Sequence, residues 1–146
     1  MDPLQTNYSA TMDRWIEGMV LNSEHQNRIS RTIETAAGIG FGKVACRGTQ
    51  DNTCKVSAAS AKPLGITILD RTQGTEDKYP QYATVAIMEK GVVVCQASVA
   101  VAQGDPVYFV PATGVLTNAD TGNIAIPNAV WDTSTSGAGL AAVRLK

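Results

Sequence analysis

Over most of this chain apolar and polar positions alternate with a period of two. The pattern sets in near residue 28, where "RISRTIE" places Ile29, Arg31 and Ile33 on one side of a strand. It continues through "AAGIGFGKVACRG", "CKVSAA", "LGITILD", "ATVAIME", "GVVVCQASV", "PVYFV", "GVLTN", "NIAIPNAVW" and "GLAAVRLK". These runs are short, rich in Val, Ile and Thr, and divided by turn residues, which is the pattern of an all-β sandwich or barrel. Glu89-Lys90-Gly91 reads as a hairpin turn between two strands. Gly104-Asp105-Pro106 reads as another turn. Gly104 supplies the freedom to turn, Asp105 is pushed extended by the proline, and Pro106 sits where no ladder hydrogen bond is lost. Ala112-Thr113-Gly114 is a further turn, and "TSTSGAG" is a loop before the last strand.

The first 35 residues follow a different rhythm. Met12, Trp15, Ile16, Met19 and Val20 fall at helical spacing behind Ser9, a candidate cap. Gly18 weakens such a helix by about 1 kcal/mol relative to Ala, and a helix this short is marginal alone in water. A short helix and an extended arm are both open. Either needs its own barrel or a neighbour to pack on. The expected division is an arm over residues 1–35 and a β-sandwich or barrel over 36–146.

Composition narrows the function. The chain has 146 residues, one domain's length, with 44% apolar and 17% charged residues; the charged share is low against the usual quarter. A net charge of -1 gives no reason to expect nucleic acid or an anionic membrane as partner. Between Lys90 and Arg144 there is no basic residue, only Asp105, Asp120 and Asp132. That half cannot grip phosphates. It must bind, or stay soluble, through neutral polar and apolar surface. Cys46, Cys54 and Cys95 are an odd set that does not suggest a disulfide framework. No signal-peptide pattern and no bilayer-length apolar run is visible, so synthesis in a reducing cytoplasm is the expectation.

Candidate chemistry is sparse. His25 lies in the polar run "NSEHQN" with no partner constellation, and reads as a solvated or locally bonded side chain. Cys46 and Cys54 flank "RGTQDNT"; with one histidine and no CxxC, zinc is not expected, and a cross-strand pair of buried thiols is the favoured reading over a facultative disulfide. "GIGFG" superficially resembles a phosphate-cradling loop, but its spacing is GxGxG and a strand follows, so it reads as a strand that needs room. "DRTQGTEDKYPQY" reads as a solvated loop in which Tyr79 and Tyr82 flank Pro80 as a sticky feature. No GxSxG, HExxH, paired-carboxylate or Walker pattern occurs, and no metal or cofactor is expected.

Several stretches taken together resemble the capsid cement, or decoration, proteins of tailed bacteriophages. They are "NRISRTIETAAGIGFGKVACRGTQDN", "LGITILDRT", "KYPQYATVAIMEKGVVVCQASVAVAQGDPVYFVPATGVLTN" and "IPNAVWDTS". The resemblance covers roughly residues 19 to 146 and lies in the order of the pieces, since none is a chemical motif. It implies a β-rich domain, often jelly-roll-like, on the outside of an icosahedral shell and without catalytic activity. The implied partner is the major capsid protein, bridged by a homo-oligomer, dimer or trimer, at local symmetry axes, with neither nucleic acid nor membrane involved. The apolar stripe then becomes a docking element. Trp15, Ile16, Met19 and Val20 are the expected apolar contacts, set against the alternative that they cover their own barrel. Arg28 and Arg31 are the expected partners of capsid carboxylates, set against plain solvation. Two rivals stand beside this. A virion-associated carbohydrate-binding β module would need a platform of exposed aromatics, thin in a chain that is 5% aromatic. A trimeric nucleotide hydrolase has only "GIGFG" in its favour.

Overall fold

The computed structural model describes residues 15–56, 62–72 and 78–146. Eleven strands follow in chain order: β1 (Asn27–Ile33), β2 (Ile39–Gly40), β3 (Val44–Arg47), β4 (Thr53–Val56), β5 (Pro63–Thr67), β6 (Lys78–Tyr79), β7 (Thr84–Ala97), β8 (Pro106–Phe109), β9 (Leu116–Thr117), β10 (Ile124–Trp131) and β11 (Gly139–Leu145). No described residue is helical. The all-β reading holds, and every run chosen by alternation contains at least part of a strand. Ser9 and Met12 lie outside the described residues. From Trp15 onward the arm forms a turn and then an extended segment, so the helical spacing of Trp15, Ile16, Met19 and Val20 is not realised as a helix.

The strand order is β1-β4-β3-β5-β7-β11-β10-β8-β9, with β1 and β9 each also paired to β7. The sheet therefore closes twice. One ring is β1, β4, β3, β5 and β7; the other is β7, β11, β10, β8 and β9. β7 belongs to both. Its first half pairs with β1 from Thr84 to Lys90, and its second half pairs with β11 from Gly91 to Ala97. The expected hairpin turn at Glu89-Lys90-Gly91 is thus overturned. The chain continues as one 14-residue strand, because a new partner takes over where the old one ends. Gly91, at φ +131°, marks that handover, and Glu89 and Lys90 are exposed beside it.

Two cores follow from strand alternation. Ile33, Ala45, Cys54, Tyr79, Val85 and Ile87 fill the first ring, with the Phe41 ring edge-on to Tyr79 at 5.2 Å. Val93, Cys95, Phe109, Leu116, Trp131 and Val143 fill the second. Val44, Cys46, Ile66 and Met88 belong to this second core, so one outer face of the first ring packs against the second. Burial of so many branched side chains drives the assembly, at about 1.5–3 kcal/mol for each full burial.

The register also settles the cysteines. Lys55 stands opposite Cys46 and Arg47 opposite Cys54, so the two thiols project from opposite faces of the β3–β4 pair into different cores. They are buried as expected but not a facing pair. All three cysteines are free.

Candidate docking surface

Polar and titratable groups with chemical potential are dispersed. Among the described residues no three His, Cys, Asp or Glu side chains gather as a metal site. His25 is exposed beside Lys90 and Arg144 in a shallow cavity of ≈ 320 Å³. Burial pushes the Cys46 and Cys54 thiols up to about 11, and that of Cys95 higher still. Neutral, enclosed thiols are poor nucleophiles.

Three features build a surface instead. The first is the arm. Gly18 N–H donates to the Val94 carbonyl at 2.7 Å, Val94 N–H to Met19 at 2.9 Å, and Leu21 N–H to Val92 at 3.1 Å. Leu69 N–H donates to the Gly18 carbonyl at 2.9 Å, so the same segment is tied to the end of β5. Close contact explains part of "GIGFG". A Cβ on Gly18 would lie 2.8 Å from Phe41 Cβ and 3.1 Å from Gly42 N, and one on Gly42 would lie 2.9 Å from Gly18 N. Both have positive φ, so the arm crosses the turn between β2 and β3 glycine against glycine. Glu17 clamps the crossing through Lys43, with Oε1 to Nζ at 2.5 Å. Further along, Glu24 and Asp132 both engage Arg144, which raises the guanidinium pKa, chiefly through the Asp132 hydrogen bond.

The residues expected to dock divide accordingly. Val20 bridges to Val93 and packs on the second core. Trp15 and Met19 are half-buried, and Ile16 is 46% exposed beside a groove of ≈ 290 Å³ shared with Phe41 and Leu69. Arg28 is exposed and donates to Gln26 Oε1 at 2.7 and 3.1 Å. Arg31 lies elsewhere, in a groove of ≈ 350 Å³ with Arg47 and Asp51. The six residues do not form one patch.

The second feature is the β3–β4 hairpin tip, residues 48–52. Glu34 Oε1 accepts from Thr49 N at 2.8 Å, from Thr49 Oγ1 at 2.6 Å, and from the Thr53 hydroxyl. Those hydroxyls, Thr49 first, hold the Glu34 carboxyl down to about 2. A charged acceptor with several donors fixes the tip firmly to the end of β1. Nothing in the sequence flags this clasp, because its members are 15 to 19 residues apart.

The third feature is the turn at Pro80–Ala83. The two tyrosines flanking Pro80 part company here. Tyr79 is buried, and its hydroxyl donates to the Ile68 carbonyl at 2.6 Å. Tyr82 is 76% exposed.

Two closed β rings around two cores define an all-β protein. The chain matches the family of structural cement proteins typified by E217 gp24 and Pam3 gp6 over residues 4–146, and it belongs to that family. The family is structural, not enzymatic. In solved structures the fold is shared with a chain of the capsid of Myoviridae phage XM1. That match has a TM-score of 0.78 at 17% identity and covers 95% of this chain and 94% of the other. The N base of the head fiber gp8.5 of bacteriophage phi29 is more distant, with a TM-score of 0.52 at 7% identity over 84% and 95% of the two chains. No curated protein matches significantly. The protein is a structural component of a phage capsid.

Proposed function

We propose that the chain cements the shell from its outer surface, bridging neighbouring copies of the major capsid protein as a homo-oligomer at local symmetry axes. The observation that carries this is the reach of the family match, which begins at residue 4 and so includes the arm as well as both rings. The arm supplies lateral reach, and its inner residues are built into the fold through β7 and Leu69. Tension on the arm is therefore passed to the rings. In this reading Trp15 and Ile16 face the neighbour while Met19 and Val20 hold the arm to its own barrel. Arg28 and Arg31 meet capsid carboxylates. A standard interface buries about 1,600 Å² in total, and repetition around a shell makes each joint hard to open alone.

The test is add-back of the full chain to emptied capsids of the parent phage, followed by co-sedimentation and by the temperature at which the shell opens. Saturable binding with a raised opening temperature is the expected result. Failure of a folded sample to bind would overturn the cement reading. An Ile16→Asp variant that folds normally but binds weakly would place the arm in the contact.

A further inference from the structure

Tyr82 occupies a position that its chemistry does not favour. Ala83 N–H donates to the Pro80 carbonyl at 3.2 Å, closing a four-residue turn whose third member, Tyr82, has φ +67°. Glycine or asparagine normally takes that place, because a Cβ crowds the backbone there. The other described non-glycine residue with positive φ is Asn128, which fits the rule. Tyr82 breaks it without compensation from packing, since its side chain is 76% exposed. The turn is held regardless. Tyr82 N–H donates to Ile33 at 2.9 Å, and Gln81 Nε2 to the Glu34 carbonyl at 3.0 Å. Strain that the surroundings hold in place, at an exposed aromatic, points to function rather than stability.

What lies beside it gives the partner's chemistry. Tyr82 rims one groove of ≈ 450 Å³, and the groove of Arg31 and Arg47 adjoins it across the hairpin tip, with Thr49, Gln50 and Thr53 lining both. Arg47 is exposed, and among the described residues Arg31 donates one hydrogen bond, to the Ser30 carbonyl at 2.8 Å. Neither forms an ion pair among the described residues; Asp51 lines the same groove without pairing to them. Two open guanidinium groups favour a planar carboxylate.

We propose that this end of the first ring is a second docking site, separate from the arm, for an extended carboxylate-bearing segment of the shell protein. It rests on the cement reading. Tyr82 anchors the segment on one side of the hairpin tip, and Arg31 and Arg47 hold its carboxylate on the other.

The experiment titrates emptied parent capsids with the full chain, Tyr82→Asn and the double variant Arg31→Gln/Arg47→Gln, at low and high salt, alongside melting and sedimentation of each free protein. Asparagine suits the turn, so Tyr82→Asn is expected to melt at or above the parent temperature yet bind about tenfold or more weakly. The double variant is expected to bind more weakly, with a shallower salt dependence. Parent-like binding by both variants would overturn the proposal and leave the cement reading intact. A fall in the melting temperature of Tyr82→Asn that accounts for its lost binding would overturn it in favour of a packing role. A change confined to self-association would overturn it in favour of a second copy as occupant. Absence of binding by the parent chain itself would remove both readings.

Discussion

At Gly104 the backbone sits at φ +93°, and a Cβ there would meet nothing within 4 Å. Substitution cost at this position is therefore conformational, not steric. Gly104→Val is expected to lose about 1–3 kcal/mol and to lower Tm by several degrees in calorimetry, while capsid binding per folded molecule stays at the parent level. A variant that melted like the parent but failed to bind would make this loop a contact. Asp105 gives the same loop its shape. Its carboxylate accepts from Ala102 N–H and Asn118 Nδ2, both at 2.9 Å, and those bonds lower its pKa. The buried thiols make a second residue-scale prediction. Ellman's reagent at pH 8 should find no reactive cysteine in the folded protein and all three after denaturation. Rapid labelling of Cys46 or Cys54 in the native state would contradict their burial.

Among the elements, the β3–β4 hairpin depends on Glu34. A carboxyl held at about 2 when folded, against an ordinary 4.5, contributes stability that is present above the ordinary value. That contribution is lost as pH falls from about 4.5 toward 2. Glu34→Gln removes the charge and should flatten the acid slope of Tm in that window, while amide exchange at residues 48–53 quickens at neutral pH. An unchanged acid slope would mean the clasp carries no linked proton. The elements also show what alternation reveals and what it hides. Period-two patterning located strands where one face is buried, as in "ATVAIME", whereas β3, which lies between the two cores, is buried on both faces. It could not show that β7 runs on unbroken through Glu89-Lys90-Gly91. Glu-Lys-Gly has turn chemistry, and only the exchange of partner strands keeps the chain extended through it. Helical spacing in the arm failed for a related reason. Gly18 takes a left-handed conformation against Phe41 and Gly42, a tertiary contact that overrides a weak local preference. The site was legible only in part. Ile16 and Arg31 could be picked out as surface candidates, but the Glu34 clasp and the strain at Tyr82 arise from distant neighbours and leave no local signal. Cutting the chain at residue 35 would also remove β1, so point substitutions in the arm are the cleaner probe.

For the whole molecule, the shared strand makes the two rings one cooperative unit. Urea unfolding followed through Trp131, in the second core, should coincide with unfolding followed through Tyr79, in the first. A single transition is expected, and Val85→Ala in the first ring should shift both probes together, by about 1.5–3 kcal/mol. Separated transitions would show that β7 does not couple the rings. Charge follows the same division. Arg28, Arg31, Arg47, Lys55 and Lys62 lie on or beside first-ring strands, whereas Gly91 to Val143 contains no Lys or Arg. Basic side chains are thus concentrated on the first ring, with Arg144 and Lys146 the exceptions on the second.

Closure has a consequence for life at high concentration. Each strand of the nine-stranded sheet has a partner on both sides over at least part of its length, so the sheet offers another chain only short open stretches, such as β1 before Thr32. Edge-to-edge templating, the common route from a soluble sheet to a fibre, finds little open edge there. A neighbour is gripped mainly by side chains and loops. Such a grip can be retuned one substitution at a time, so adhesion can drift with the shell it fits while the scaffold beneath stays unchanged.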